Sequence, residues 1–237
     1  MGSEMCIRDS HGTRLIERVT PLLSELRSVF LEDNTLRRGK LILGVSEAIL
    51  TSWGADLFAQ VRERLPSIEL EFHAQRSPVV LDRLRSGEYM VGICTGSSDS
   101  DLDLVSELIM EEQMVIIPSA LRRFKYQVGD ALEVITIESR SGAWASIEEA
   151  MQNLNLRRVS SLESFFSVAQ MAIAGFGHGL VPVGVARTLA VPDKKLFKLS
   201  GSRLTRPVRF VARKSIFSQE LVKSFYAEVT SIASSLE

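Results

Sequence analysis

Apolar residues along the middle of the chain recur with two spacings, one typical of β-strands and one typical of α-helices. Short apolar or alternating runs of strand length are followed by stretches in which apolar residues lie three or four positions apart. The first cycle is a strand over 40–45 and a helix that ends near Arg64, where Pro66 prevents its continuation. Because strand, helix and strand in succession imply crossover connections, the pattern predicts an α/β fold with mainly parallel sheets flanked by helices.

The same alternation continues to the end of the chain and forms a second, similar cycle. Further strands are predicted over 68–74, 89–94, 102–109, 113–117, 134–137, 157–160, 177–182 and 208–211. Further helices are predicted over 77–86, 144–151, 162–174 and 219–236. Glu111 and Glu112 are expected to separate the two strands that precede Pro118. Two cycles of this kind predict two lobes with a ligand cleft between them, beyond the carboxyl ends of the strands.

A helix is predicted before the α/β pattern begins, within a linker and hinge segment at 11–39. Its apolar positions, alternately four and three residues apart, are Leu15, Val19, Leu22, Leu26 and Val29. This spacing is that of a seam between paired helices, although Pro21 predicts a kink near Thr20. Such a seam occurs both in a helix that packs on its own domain and in a helix that pairs with a second copy of the chain. Because this segment lies outside the α/β pattern, we favour the second interpretation, a dimerisation helix. Residues 1–10 show no periodicity and are expected to be a tag, an artefact or a disordered start.

The charge balance narrows the functional classes. The chain has 28 Lys and Arg residues against 29 Asp and Glu residues, a formal net charge of −1, whereas a free-standing nucleic-acid-binding protein usually has a basic excess. Its two cysteines, Cys6 and Cys94, are too few for a disulfide framework or a cysteine-rich metal site. No apolar run is long enough to span a membrane or to form a signal peptide, so we expect a cytoplasmic protein with no membrane partner.

Polar residues follow the first strand directly, where the ligand cleft of an α/β fold is expected. Ser46 and Glu47, with Thr51 and Ser52 one turn later, begin the following helix. Hydroxyls and free N–H groups at a helix start favour a carboxylate or another anion. Helix capping is the simpler interpretation of these residues, and Glu47 argues against a simple anion pocket because it is itself negative.

Two more polar turns point to the same cleft. Ser139 and Arg140 follow the first strand of the second cycle, and Arg140 can bind a carboxylate bidentately unless it is an exposed turn residue. Thr95 and Gly96 end the third strand and could close the cleft from the first lobe, unless they belong to a surface loop.

The sequence shows no arrangement typical of catalysis or metal binding. Its three histidines, His11, His73 and His178, have no Asp, Cys or Ser partner pattern. The glycine-rich stretch 175–179 follows a helix and precedes a strand, which is the wrong context for a dinucleotide-binding loop. We therefore expect no catalytic residue, no metal and no cofactor, with His178 structural and Cys94 a small core residue.

Several segments in a fixed order carry a resemblance to a known family. After the predicted dimerisation helix come RRGKLILGV at 37–45, IELEF at 68–72, LRSGEYMVGI at 84–93, LVSELI at 104–109 and IAGFGHGLVP at 173–182. From about His11 to the end, the chain resembles the linker helix and effector-binding domain of LysR-type transcriptional regulators. The resemblance implies a two-lobed fold like that of type II periplasmic binding proteins. Lobe I would comprise 40–118 and 207–237, and lobe II 119–206.

The resemblance also implies a site and partners. It places the turn before the helix at 162–174 in the ligand cleft, which adds Ser160, Ser161 and Phe165 to the candidate ligand-binding residues. It implies a small-molecule effector and a homo-oligomer, either a dimer or a tetramer. The Ser, Thr and Arg residues of these turns favour an anionic metabolite as that effector.

One departure from the family pattern concerns DNA. Family members carry an N-terminal winged helix-turn-helix, and the ten residues before His11 are too few to form one. The expected function is therefore the effector-sensing and oligomerisation part of such a regulator, which is not an enzyme and contacts DNA only through the missing domain. The alternatives are a solute-binding protein of a transporter with the same fold and a two-lobed enzyme.

Overall fold

The computed structural model describes part of the N-terminal helix and most of the α/β body. The described residues are 39–96, 103–123, 125–127, 129–199 and 204–235, with nine single positions between 12 and 26. All nine positions are helical, which confirms the predicted helix there. On it, Leu15, Leu22 and Leu26 are 63%, 63% and 59% exposed, so the described part of the chain leaves this seam uncovered. Val29, Pro21 and residues 1–10 lie outside the described residues.

Within the described residues, eight strands form one continuous mixed sheet. They are β1 (Lys40–Ser46), β2 (Glu69–Gln75), β3 (Val91–Thr95), β4 (Leu104–Ile117), β5 (Leu132–Ile137), β6 (Leu156–Leu162), β7 (His178–Pro182) and β8 (Thr205–Arg213). Across the sheet their order is β2-β1-β3-β8-β4-β7-β5-β6. Because β1 is parallel to β2 and β3, and β5 to β6 and β7, the predicted parallel pairing is confirmed in both halves of the sheet.

Two long strands, β4 and β8, join the halves and run antiparallel to their neighbours. β4 pairs with β8 over 104–113 and with β7 over 114–117. The predicted break at Glu111 and Glu112 is wrong, because both residues continue the strand, and Glu112 lies directly opposite Arg206 on β8. A glutamate is compatible with this central strand because the neighbouring strand supplies a cation for it.

Helices cover both faces of the sheet. They are α1 (Glu47–Ile49), α2 (Ala55–Arg64), α3 (Ser77–Arg85), α4 (Trp144–Asn153), α5 (Phe165–Ile173), α6 (Val183–Thr188), α7 (Lys214–Phe217) and α8 (Glu220–Ala233). A π-helical turn, Leu50–Gly54, joins α1 to α2. Short 3₁₀ turns occupy Ser119–Leu121 and Asp193–Lys195.

Local sequence explains where these helices begin and end. Pro78 lies in the first turn of α3, where its missing N–H removes no helical hydrogen bond. Gly87, just after α3, has a φ of 77° that a side chain would strain. α5 begins later than predicted because β6 continues to Leu162 and Ser164 then caps the helix, its hydroxyl accepting a hydrogen bond of 3.2 Å from the N–H of Phe166.

The apolar core divides at the two long strands. Around β1, β3, α2 and α8, one cluster of buried residues includes Phe210 and Phe225, and a smaller cluster lies under α3. A separate cluster joins β5, β7, α4 and α5. β4 contributes to both sides, with Met110 in the first cluster and Met114 in the last. Each half thus has its own apolar core, and the boundaries predicted for the two lobes stay a prediction.

Candidate functional site

A cleft lies between the two halves of the sheet, at the carboxyl ends of the parallel strands. Four parallel strands end at this cleft: β1 with Ser46, β2 with Gln75, β3 with Thr95 and β5 with Ile137. Two helices of nine residues each, α3 and α5, also begin there. Their free N–H groups and helix dipoles favour a negatively charged group in the cleft.

The cleft is closed. Its cavity volume is about 40 Å³, room for about three water molecules when each needs roughly 10–15 Å³. At its mouth the backbones of the two halves touch, since a Cβ added to Gly142 would lie only 2.2 Å from the carbonyl oxygen of Thr95. The halves must therefore separate to admit even a small metabolite.

Arg76 bridges the mouth of the cleft with two ion pairs. Its guanidinium, directly before α3, forms a salt bridge with Glu138 after β5 and a second, at 3.4 Å, with Glu163 after β6. The Arg76 and Glu163 side chains are 44% and 73% exposed, so water screens this second pair and it contributes at most about 1 kcal/mol. The two ion pairs therefore hold the halves together only weakly, and a bound ligand can replace them.

A buried ion pair forms the floor of the cleft. Arg206 on β8 is 1% exposed and Glu112 on β4 is 2% exposed. The Nε and Nη2 of Arg206 donate to Glu112 Oε2 at 2.9 and 2.6 Å, and the indole N–H of Trp53 donates to Glu112 Oε1 at 3.2 Å. The guanidinium carbon also lies 5.2 Å from the centre of the Phe165 ring. These contacts fix the guanidinium in one orientation at the cleft.

Two groups of the cleft can donate to a ligand, because they make no hydrogen bond to another described residue. One is Nη1 of Arg206, since only Nε and Nη2 of this cleft-lining side chain bind Glu112. The other is the hydroxyl of Ser46, which is 8% exposed and occupies the N-cap of α1 without making a capping bond. A carboxylate of a ligand can accept hydrogen bonds from both groups.

Four of the sequence-predicted residues meet at this cleft, namely Ser46, Glu47, Thr95 and Phe165. Three of them end or directly follow a strand, which is where ligands bind in α/β folds. The fourth, Phe165, begins α5. The Thr95 hydroxyl is hydrogen-bonded to that of Ser77 at 3.0 Å. That these residues contact a ligand stays a prediction.

Thr51, Ser52, Ser139 and Arg140 lie outside the lining of the cleft. The hydroxyls of Thr51 and Ser52 donate to backbone carbonyls four residues earlier, at 2.6 and 2.5 Å. Ser139 and Arg140 are exposed in the turn after β5, and the next residue, Ser141, lines the cleft instead.

Ser160 and Ser161 are likewise outside the lining, because they are exposed on the edge strand β6. Ser164, which caps α5, lines the cleft where these serines were expected. Gly96 lies beside the mouth, where a Cβ would come within 3.3 Å of the Cα of Gly142, and its φ is 109°.

Sequence reasoning missed Arg76, Ser77, Glu112 and Arg206. Arg76 and Ser77 follow β2 directly, so the strand-end rule that selected Ser46 could have found them. Glu112 and Arg206 give no local signal, since they are 94 positions apart and meet only through the register of β4 and β8.

Cys94 and His178, the other residues with distinctive chemistry, have structural environments. Cys94 is 0% exposed, and burial raises the pKa of its thiol to about 12, which confirms the predicted small core residue. The Nδ1 of His178 accepts a hydrogen bond of 3.3 Å from the N–H of Ser119, and burial lowers the pKa of the imidazole. Both groups are therefore uncharged at neutral pH.

Within the described ranges, no group of three or more His, Cys, Asp or Glu side chains could hold a metal ion. None of the described helices combines the length and the apolar character needed to cross a membrane.

Comparison with known proteins identifies the family. A family model for the LysR substrate binding domain matches residues 34–233. A relative from Vibrio cholerae serotype O1, described as an uncharacterized HTH-type transcriptional regulator, is 22% identical over 213 residues, which cover 89% of this chain and 72% of the relative.

Two solved structures show the same fold. The reduced regulatory domain of OxyR2 from Vibrio vulnificus has a TM-score of 0.67 at 19% identity, over 83% of this chain and 95% of that one. The effector-binding domain of BenM with its effector benzoate has a TM-score of 0.62 at 14% identity, over 83% of this chain and 93% of that one. Since the family model matches most of the sequence, this chain belongs to the LysR substrate-binding domain family.

Proposed function

We propose that the chain is the effector-sensing and oligomerisation part of a LysR-type transcription regulator. The family match and the V. cholerae relative, itself a transcriptional regulator, support this role. In this proposal the chain is not an enzyme. It acts in the cytoplasm and contacts DNA only through a helix-turn-helix domain distinct from the described fold.

The proposed effector is a small metabolite with a carboxylate, bound in the cleft between lobe I (40–118 and 207–237) and lobe II (119–206). The support is Nη1 of Arg206, a charged donor that pairs with none of the described residues and belongs to a side chain that is only 1% exposed. A bound carboxylate supplies an acceptor for this charged donor of the cleft. Binding also needs the closed lobes to part and close again, so the ligand shifts the equilibrium between lobe arrangements.

Carboxylate binding in the cleft can be measured by isothermal titration of the chain with a panel of small carboxylic acids. We expect the double variant Arg206→Gln/Glu112→Gln, which exchanges the ion pair for a neutral amide pair, to bind at least about tenfold more weakly. The reason is the loss of a charge-assisted hydrogen bond worth roughly 1.5–3 kcal/mol.

A matched control removes an ion pair far from the cleft. Arg64 and Glu228 pair at 2.9 Å between α2 and α8, so Arg64→Gln/Glu228→Gln should keep the affinity of the original chain. Equal losses of affinity in the two double variants would count against the cleft as the site.

The proposed oligomer is a dimer or a tetramer formed through the N-terminal helix. Leu15, Leu22 and Leu26 lie on this helix with more than half of each side chain exposed. A contiguous apolar seam of this kind marks an interaction surface, and its four-and-three spacing is that of two paired helices.

Light scattering coupled to size-exclusion chromatography tests the seam. We expect Leu22→Glu/Leu26→Glu to reduce the mass to that of the 26.3 kDa monomer, because two charges in a paired seam would have to be buried. Arg18→Gln changes an exposed polar position of the same helix and should leave the oligomer intact. A monomeric original chain, or a double variant that keeps the oligomer, would refute the role of the seam.

A further inference from the structure

The Glu47 carboxylate belongs to the lining of the cleft, and none of the described residues pairs with it. Glu47 is the first residue of α1, lines the cleft and is partly buried. Among the described residues, no hydrogen bond or ion pair reaches its side chain, because the contact with Thr51 involves only the Glu47 carbonyl oxygen. The start of the helix stabilises this negative charge modestly, but no cation among the described residues pairs with it.

The two cations of the cleft are already neutralised. Arg206 is paired with Glu112, and Arg76 with Glu138 and Glu163. Among the described residues, the charged groups that line the cleft or pair with its lining are two guanidinium groups, Arg76 and Arg206, and four carboxylates, Glu47, Glu112, Glu138 and Glu163. A ligand with two negative charges would enter a site that already has a negative excess, which costs energy because like charges repel.

We propose that the cleft takes a zwitterion, a small amino carboxylate of the amino-acid class. Its carboxylate accepts from Nη1 of Arg206 and the Ser46 hydroxyl, and its ammonium group pairs with Glu47. The zwitterion adds no net charge to the cleft, and it supplies the cation that Glu47 lacks and the acceptor that Arg206 lacks. This inference rests on the proposed function, since it names the ligand class of the same site.

The experiment is isothermal titration of the full chain with the twenty standard L-amino acids, β-alanine and γ-aminobutyrate. The tightest binder is then compared with its keto acid, which lacks the ammonium group, and with its amine, which lacks the carboxylate. We expect each of these two analogues to bind at least about tenfold more weakly, because each leaves one charged partner in the cleft unpaired.

Glu47→Gln tests the assigned partner of the ammonium group. In this variant the preference for the amino acid over its keto acid should fall from at least about tenfold to nearly none, since the charge that selects between them is gone. Glu220 provides the matched control, because it is also the first residue of its helix, α8, but is exposed away from the cleft. Glu220→Gln should keep the full preference.

The possible results separate this inference from the proposed function. If a keto acid or another simple carboxylate binds as tightly as the amino acid, or if Glu47→Gln keeps the preference, the zwitterion is refuted while carboxylate binding stands. If amines bind as tightly as amino acids, the assignment of Arg206 and the inference fail together. If no amino acid, keto acid or amine binds the folded chain, both the inference and the proposed carboxylate effector are overturned.

Discussion

Replacing Arg206 alone with methionine is expected to lower the free energy of unfolding by about 3–5 kcal/mol. The change leaves the Glu112 carboxylate, which is 2% exposed, in the interior without its cation. Among the described residues, the indole N–H of Trp53, at 3.2 Å, is then its one remaining hydrogen-bond donor. Because methionine fills much of the space of the arginine stem, the loss comes from an unpaired buried charge and not mainly from a cavity. Urea unfolding followed by circular dichroism at neutral pH measures it.

Two comparison variants separate charge from packing. Glu112→Gln/Arg206→Met removes both charges and should recover most of the lost stability, since replacing both partners of a buried pair is often close to neutral. Arg64→Met breaks an ion pair whose side chains are 49% and 31% exposed and should cost less than about 1 kcal/mol. Equal urea midpoints for the single and double cleft variants would show that the buried charge of Glu112 is not the source of the instability.

The pair also shows why the sequence alone could not predict the whole fold. The regular part of the α/β pattern is local, so β1, α3 and β3 could be located from apolar spacing and from Pro78. Glu112 instead looks like a break between strands, because a glutamate in a central strand is unfavourable unless it has a partner. That partner comes from the antiparallel register of β4 with β8, which brings together residues 94 positions apart.

The candidate site could be predicted to the extent that strand ends could be predicted. Ser46 and Thr95 end β1 and β3, and the rule that ligands lie beyond strand ends placed both at the cleft. For β6 the predicted end was too early, so the turn that the resemblance places in the cleft was assigned to Ser160 and Ser161, whereas the strand continues to Leu162. Sequence patterns locate the ends of elements least well, and a shift of a few residues moves a side chain from a cleft to an exposed strand.

Gly142→Ala is expected to shift the cleft from closed to open. The added Cβ would lie 2.2 Å from the carbonyl oxygen of Thr95 and 2.9 Å from Cβ of Ser77, both shorter than real Cβ contacts. Both atoms belong to lobe I as proposed and Gly142 to lobe II, so separation of the lobes relieves the clash. Overpacking of this kind costs about 1–3 kcal/mol, which changes the ratio of closed to open molecules by roughly 5- to 150-fold. A ligand that requires the closed form should lose affinity accordingly.

The opening can be measured as a distance between spin labels on the two halves. Glu63 on α2 and Gln152 on α4 are exposed, and each can be changed to cysteine in a Cys6→Ser background. Cys94 will not compete for the label, because it is fully buried and its pKa is raised to about 12. Electron–electron double resonance should show a longer distance between the two labels in Gly142→Ala than in the parent.

Gly129→Ala serves as the control, since its φ of 104° strains the backbone while an added Cβ meets nothing within 4 Å. A distance that stays unchanged in Gly142→Ala would mean that the clash is relieved by local backbone movement at Thr95, and that the contact at the mouth does not keep the cleft closed.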